Sequence, residues 1–123
     1  MSGADELEQA FAYDREGQEA EAIPHYERAI SAGLDDDQLA KALLGLGSSL
    51  RNVGRVEESI RVLEGAVERF QDDRALPVFL AFSLWSGARR AEALALLARR
   101  LGEGSGYERG IGEYAGDIER SEG

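Results

Sequence analysis

The chain has 123 residues, 43% of them hydrophobic and 31% charged, and it contains no cysteine. This length suits a single domain with its own core, and the missing cysteine excludes disulfides, thiolate metal sites and a cysteine nucleophile. Twenty-four acidic residues against fourteen basic ones give a net charge of −10, which disfavours nucleic acid and anionic membrane surfaces as partners.

The chain reads as a succession of helical segments. It lacks threonine and has two prolines, whereas Ala, Leu, Glu and Arg, which favour helices, are abundant. Glycines and acidic residues separate the segments, as expected at helix ends. We therefore predict an all-α fold of about seven helices: about 4–16, 19–32, 37–52 and 56–70, one that Asp72 and Asp73 cap and that ends near Ser86, one from Arg89 or Arg90 to Gly102, and a last one at about 106–120.

No segment has the length of a membrane span. The longest apolar run, 75–85, has 11 residues, against about 20 needed to cross a bilayer. The first residues are acidic and lack the basic and apolar regions of a signal peptide. We therefore expect no membrane contact and a cytoplasmic location.

A pattern of small and aromatic or leucine residues recurs three times. Its first part reads Glu6-x2-Gln9-Ala10-x2-Tyr13, then Leu43-x2-Leu46-Gly47-x2-Leu50, then Pro77-x2-Leu80-Ala81-x2-Leu84. Twelve residues after each small residue comes a second part: Ala22-x3-Tyr26, Ser59-x3-Leu63 and Ala93-x3-Leu97. The units are offset by 37 and 34 residues, a period typical of helical-hairpin solenoids.

This pattern resembles the tetratricopeptide repeat, which reads W-x2-L-G-x2-Y and then A-x3-F over 34 residues. The resemblance runs from about Glu6 to Leu101 and implies a right-handed superhelix of antiparallel helical hairpins. It implies a single domain with repeats at about 4–34, 37–71 and 73–102, followed by a capping helix at about 106–120. The arginine-rich usage, with Lys41 the only lysine, is typical of a GC-rich genome, so we expect a bacterial protein.

Small residues are expected where the two helices of a hairpin approach closely, because larger side chains would push the helices apart. We predict the following repeat-packing residues: Ala10, Tyr13, Ala22, Tyr26, Leu46, Gly47, Leu50, Ser59, Leu63, Ala81, Leu84, Ala93 and Leu97. In the last helix, Tyr107, Ile111, Tyr114 and Ile118 recur at intervals of four, three and four, which predicts one apolar face covering the third repeat.

The resemblance implies that the first helix of each repeat lines a concave surface. The stripe of these helices beside the packing residues therefore predicts a partner-binding groove, formed by Leu7, Phe11, Lys41, Leu44, Ser48, Arg51, Val78, Phe82 and Trp85. An apolar stripe with aromatic anchors and an arginine is typical of interaction sites. Three occupants stay open at this point: an apolar or basic protein or peptide, a second copy in a homodimer, or the chain's own C-terminal helix.

The sequence offers little for catalysis or ligand binding. His25 is the only histidine and has no nucleophile near it in sequence. The run 35–37 lacks the spacing of a calcium loop, and the glycine-rich run 102–106 lacks the lysine of a phosphate loop. We therefore expect no enzyme activity, no cofactor and no metal. The predicted function is that of a protein-binding adaptor, and the alternative is a structural homodimer whose groove is filled by its own copy or its own C-terminal helix.

Overall fold

The computed structural model describes residues 1–122, and this range contains seven α-helices and no strand. They are α1 (Gly3–Arg15), α2 (Glu19–Ala32), α3 (Asp36–Asn52), α4 (Val56–Arg69), α5 (Leu76–Ser86), α6 (Arg90–Leu101) and α7 (Glu108–Glu122). The prediction of an all-α fold is confirmed.

Short polar side chains fix the start of three helices. Ser2 and Asp35 accept from the backbone N–H of Asp5 and Gln38, whose own side chains accept in return from the cap backbone. The Asp73 carboxylate accepts from two backbone N–H groups at the start of α5, each at 2.9 Å. The acidic runs before α3 and α5 therefore satisfy backbone donors that would otherwise lack a partner.

The three hairpin turns share one backbone geometry. Gly17, Gly54 and Ala88 have φ values of 72°, 89° and 61°, in the left-handed region. The residue after each of them donates its N–H, at 2.8–2.9 Å, to the carbonyl of Tyr13, Leu50 or Leu84. This hydrogen bond closes the last turn of the helix and reverses the chain.

The packing order places the odd-numbered helices side by side. Each helix contacts its neighbour in sequence, and α3 also contacts α1 and α5. The last helix breaks this order, because α7 contacts only α6 and none of its Cα atoms lies within 8 Å of one in α5. The side of α5 that a following helix would cover therefore stays open.

Two buried clusters form the core. The first joins α1, α2 and α3 through Leu7, Ala10, Ala22, Ile23, Tyr26, Ala29, Ala42, Leu46 and Leu50. The second joins α4, α5 and α6 through Ile60, Leu63, Ala66, Leu76, Leu80, Ala81, Leu84 and Ala93. Gly47 and Ser59 are also buried, while Tyr13 and Leu97 pack half-buried at the cluster edges. The residues assigned to repeat packing thus lie in or against the core.

Two glycines let the α3 backbone approach both of its neighbours. A Cβ on Gly47 would lie 2.6 Å from Leu63 Cδ2 of α4. A Cβ on Gly45 would lie 2.7 Å from Cε1 of Tyr26 in α2. Both distances are too short for real carbon atoms, so any side chain at either position would move a core residue.

Hydrogen bonds donated by side chains join the helices in sets of three. Asp14 of α1 accepts from the Tyr26 hydroxyl of α2 and, at 3.0 Å, from the Ser49 hydroxyl of α3. Ser59 of α4 donates to the Gly47 carbonyl of α3 at 2.6 Å and lies 2.7 Å from the Ser83 hydroxyl of α5. No buried side-chain polar atom among the described residues lacks a partner. These bonds fix how one hairpin stacks on the next.

Of the four residues predicted for the apolar face of the last helix, two pack against the protein and two do not. Ile111 and Ile118 are partly buried and Ala115 between them is buried, but Tyr107 and Tyr114 are 76% and 73% exposed. The reason is that α7 packs against α6 alone, along a line of residues four and three apart. Two of the four predicted residues therefore face outward.

Candidate protein-binding face

One side of α5 is apolar and exposed. The helix carries no charged residue, and a helix that is apolar all round is ordinarily buried on all sides. Here Leu80 and Leu84 are buried, whereas Val78, Phe82 and Trp85 are 36%, 47% and 56% exposed. These three residues, spaced four and three apart, define what we call the α5 face.

Two arginines flank the aromatic rings of this face. The Arg51 guanidinium of α3 lies 6.0 Å from the Phe82 ring centroid, and its Nε donates to the Ser86 hydroxyl at 2.9 Å. The Arg90 guanidinium, at the start of α6, lies 4.7 Å from the Trp85 ring centroid. Cations at such distances are attracted to the ring face, so both guanidinium groups are held beside the apolar surface.

Within α5 the Phe82 ring is further fixed by Phe79. The two rings meet edge to face with centroids 5.7 Å apart, a favoured aromatic geometry. Phe79 is half-buried in the second cluster, so it anchors the more exposed ring to the core. Phe82 is therefore held between the Phe79 ring and the Arg51 guanidinium.

Not all of the predicted groove residues lie on an open surface. The prediction that Leu7 lines the groove is wrong, because Leu7 is only 4% exposed and packs in the first cluster between α1 and its neighbours. Phe11 is half-buried, with its ring edge-on to Tyr26 at 6.0 Å. No Cα of α1 lies within 8 Å of one in α5, so the contribution of α1 is separate from the α5 face.

The α3 residues of the predicted groove differ among themselves. Lys41 is exposed, Leu44 and Ser48 are half-buried, and Leu44 packs against the second cluster. Arg51 reaches the exposed side of α5 through its contacts with Phe82 and Ser86. The structure thus brings Arg51 and Phe82 together and leaves Lys41 further along α3.

Sequence reasoning missed Arg90 and Ser86 as parts of this site. Both flank the turn between α5 and α6, and Arg90 lies five residues after Trp85. Helical periodicity does not extend across a turn, so no spacing rule connects these positions. A turn residue at Ala88 with positive φ brings α6 back beside α5 and places Arg90 over the ring.

A cleft of about 510 Å³ adjoins the start of α5. Its apolar lining includes Pro77, Val78, Leu97 and Leu101, and charged residues of the α4–α5 connection border it. Val78 belongs both to this cleft and to the α5 face. The exposed apolar surface of α5 therefore continues into a depression at one end.

The single histidine belongs to an ion-pair cluster away from this face. His25 Nδ1 lies 2.7 Å from a Glu6 carboxylate oxygen, and Arg28 Nε donates to the other oxygen at 3.2 Å. The His25 ring also stacks on Tyr13 at 5.3 Å. The hydrogen bond from His25, assisted by Arg28, lowers the pKa of Glu6 below its ordinary value. These contacts join α1 to α2 and assign His25 a structural role.

The described part of the chain contains neither a metal-ligand cluster nor a membrane span. Among residues 1–122, no group of three or more His, Asp or Glu side chains is placed to hold a metal ion. None of the helices described above is both long enough and apolar enough to span a bilayer.

Comparison with known families identifies the fold. The family model described as "Tetratrico peptide repeat" matches residues 3–118, which is nearly the whole chain. The chain therefore belongs to the tetratricopeptide repeat family, and the predicted helical-repeat solenoid is confirmed. Searches of curated proteins and of solved structures found no match. Members of this family are generally protein–protein interaction modules and typically non-catalytic scaffolds.

Proposed function

We propose that this chain is an adaptor that binds an apolar segment of another protein on the α5 face. The observation that carries the proposal is an uncharged helix that leaves Val78, Phe82 and Trp85 exposed to water. Contiguous exposed apolar surface is a feature of protein interaction sites.

The residue types on the face suit binding. Tryptophan and arginine are enriched among the residues that contribute most to protein interfaces. Covering the exposed parts of Phe82 and Trp85 would remove on the order of 200 Å² from water, worth roughly 5 kcal/mol before the cost of association. The α5 face can therefore serve as the centre of an interface.

The chain's own last helix is a poor candidate for this role. Within residues 1–122, no Cα of α7 lies within 8 Å of one in α5, which supports an external occupant over the last helix. A second copy that docked through the same face would bring the Arg51 and Arg90 side chains of both copies together, and like charges in contact disfavour binding. A foreign protein segment is therefore the occupant we favour.

A comparison of affinity captures tests this proposal. Wild type is compared with Phe82→Ser/Trp85→Ser. Tyr107→Ser/Tyr114→Ser serves as a control that removes exposed aromatic surface from α7 and from the residue just before it. We expect wild type and the control to retain the same partner and the α5 variant to lose it. Equal capture by all three proteins, or a light-scattering mass showing that wild type is a dimer through this face, would contradict the proposal.

A further inference from the structure

We propose that the partner segment is acidic as well as apolar, with carboxylates that bind Arg51 and Arg90 while its apolar side chains cover the α5 face. This inference rests on the proposed function, since it assumes that the α5 face is the docking surface. It replaces the expectation of a basic segment, which the net charge alone suggested.

The two arginines beside the face form no ion pair with any residue in the range 1–122. Most arginines of this chain form ion pairs with nearby carboxylates, as expected where acidic residues outnumber basic ones by 24 to 14. Within residues 1–122, neither Arg51 nor Arg90 lies within 4.0 Å of a carboxylate oxygen. Two cations next to the exposed rings are therefore left without a carboxylate of the described chain.

Both guanidinium groups keep hydrogen-bond donors available. Arg51 uses Nε on Ser86 and one N–H of Nη1 on Asn52 at 3.4 Å, which leaves the Nη2 donors without an acceptor in the described chain. Arg90 donates to no described residue, and its guanidinium lies over Trp85. A planar guanidinium with free N–H groups matches a carboxylate, which accepts two parallel hydrogen bonds.

Carboxylates lie near the ends of the face, since Glu122 accepts from the Ala91 N–H at 2.8 Å and Asp72 and Asp73 line the cleft beside Val78. Within residues 1–122, none of them lies within 4.0 Å of either guanidinium group. α5 contributes no carboxylate, and Asp14 of α1 is occupied by hydrogen bonds from Tyr26 and Ser49. The α5 face therefore carries two guanidinium groups that form no described ion pair, although the molecule as a whole is acidic.

The net charge acts at longer range than a direct contact with Arg51 or Arg90 does. Exposed charges are largely screened beyond about 8 Å at physiological salt, whereas a carboxylate on Arg51 or Arg90 would lie within hydrogen-bond range. A basic segment would have to place its own cations against both arginines, and like charges in contact disfavour binding. The local cations therefore decide which segment fits.

Selection from a displayed library of random peptides tests this inference. α5 has 11 residues, so each peptide is about 12 residues long, enough for one helix that spans α5. Peptides are selected on wild type and counter-selected on Phe82→Ser/Trp85→Ser, so that only ligands of the α5 face remain. We expect the enriched peptides to combine apolar residues with Asp or Glu. An enriched set without excess acidic residues, or with excess basic ones, would overturn the inference and leave the proposed function standing.

Charge reversal gives the second measurement, on the enriched peptides themselves. We expect Arg51→Glu/Arg90→Glu to weaken binding by at least about tenfold, because carboxylates would then meet carboxylates. Arg109→Glu/Arg120→Glu changes the net charge equally on α7 and should bind as wild type does. Equal loss in both variants would mean that net charge, and not these two arginines, governs binding, and would overturn the inference.

Two outcomes would count against the proposed function itself. Failure to enrich any peptide that distinguishes wild type from the α5 variant would contradict docking on this face, and the acidic partner with it. A wild-type dimer that the α5 variant converts to monomer would assign the face to a second copy. Circular dichroism of each variant checks that it is folded. We expect each one to fold, because all of the substituted side chains are partly or fully exposed.

Discussion

Gly47 allows α3 and α4, the two helices of the second hairpin, to pack closely against each other. Any side chain here would overlap Leu63, which is fully buried, and overpacking a core site costs about 1–3 kcal/mol. We predict that Gly47→Leu lowers the melting temperature by several degrees. Thermal denaturation followed by circular dichroism measures the effect.

A matched control lies on the neighbouring helix. Gly65 of α4 has no neighbouring atom within 4 Å of the point where a Cβ would lie, so Gly65→Ala adds helix propensity without overlap. It should raise stability by up to about 1 kcal/mol. If Gly47→Leu melts at the wild-type temperature, the close approach of α3 and α4 is not rigid.

Ala88 carries backbone strain that its two counterparts avoid. It has φ of 61°, where the equivalent turns use Gly17 and Gly54. The left-handed conformation costs a residue with a Cβ about 1–2 kcal/mol, partly offset by the entropy that glycine loses on folding. We predict that Ala88→Gly stabilises the protein by roughly 0.5–1 kcal/mol in urea denaturation.

The reverse exchange provides the check on this prediction. Gly54 has no atom within 4 Å of where a Cβ would lie, so Gly54→Ala changes only the backbone preference. It should destabilise by a similar amount. Equal stability of all three proteins would show that the turn conformation is not strained.

Glu6 makes stability depend on pH in the acid range. Its pKa is lowered in the folded state, chiefly by the hydrogen bond from His25, so the ionised form favours folding. The contribution is present above the ordinary pKa of 4.5 and is lost as the pH falls through the lower folded pKa. We predict a shallower loss of stability below pH 4.5 for Glu6→Gln than for wild type.

Urea denaturation at several pH values measures this slope. His25→Phe keeps an aromatic ring against Tyr13 but removes the nitrogen that donates to Glu6, so it should flatten the slope in the same direction. If the free energy of unfolding of wild type and of Glu6→Gln falls in parallel with decreasing pH, Glu6 does not cause the acid dependence.

At the residue scale the sequence identified small and aromatic packing positions but not their partners across the fold. Gly47 followed from the repeat pattern, whereas the contact of Gly45 with Tyr26 depends on how α3 stacks on the preceding hairpin. Leu7 was assigned to the groove because it shares a helix stripe with Phe11. Its burial depends on the rotation of α1 against its neighbours, which periodicity alone does not determine.

At the scale of elements, helix bounds were predicted well because local signals define them. Glycine turns and acidic caps marked α2 and α3 to within one residue. The face of α7 was less accurate, because an apolar spacing shows that a helix packs but not against which neighbour. The structure packs α7 on α6 through Ile111, Ala115 and Ile118.

The last helix should be the least stable element. It buries only Ala115 fully, contacts one helix, and contains Gly110, Gly112 and Gly116, each costing about 1 kcal/mol relative to alanine. We predict that amide hydrogens of α7 exchange with deuterium faster than those of α4, because α7 opens locally. Hydrogen exchange followed by mass spectrometry measures both helices in one experiment.

Two substitutions test the cause of this instability. Gly110 and Gly112 have open space where a Cβ would lie, so Gly110→Ala/Gly112→Ala adds helix propensity without a clash. Exchange in α7 should slow while exchange in α4 stays the same. Equal protection of α7 and α4 in wild type would contradict the prediction.

At the scale of the whole molecule, the arrangement of helices exposes the α5 face. α3 lies against α1 and α5 against α3, but α7 leaves this order and packs on α6. Within the described residues, the repeat therefore ends with one apolar helix side uncovered and two unpaired arginines beside it.

Photo-crosslinking tests most directly whether this face docks a partner. p-Benzoylphenylalanine is introduced at position 82, and for comparison at position 114 on α7, in the cells that produce the protein. If the α5 face docks a partner, we expect a discrete adduct with another protein from position 82 and none from position 114. No adduct from position 82, the same adduct from both positions, or an adduct only with a second copy of the chain would contradict it.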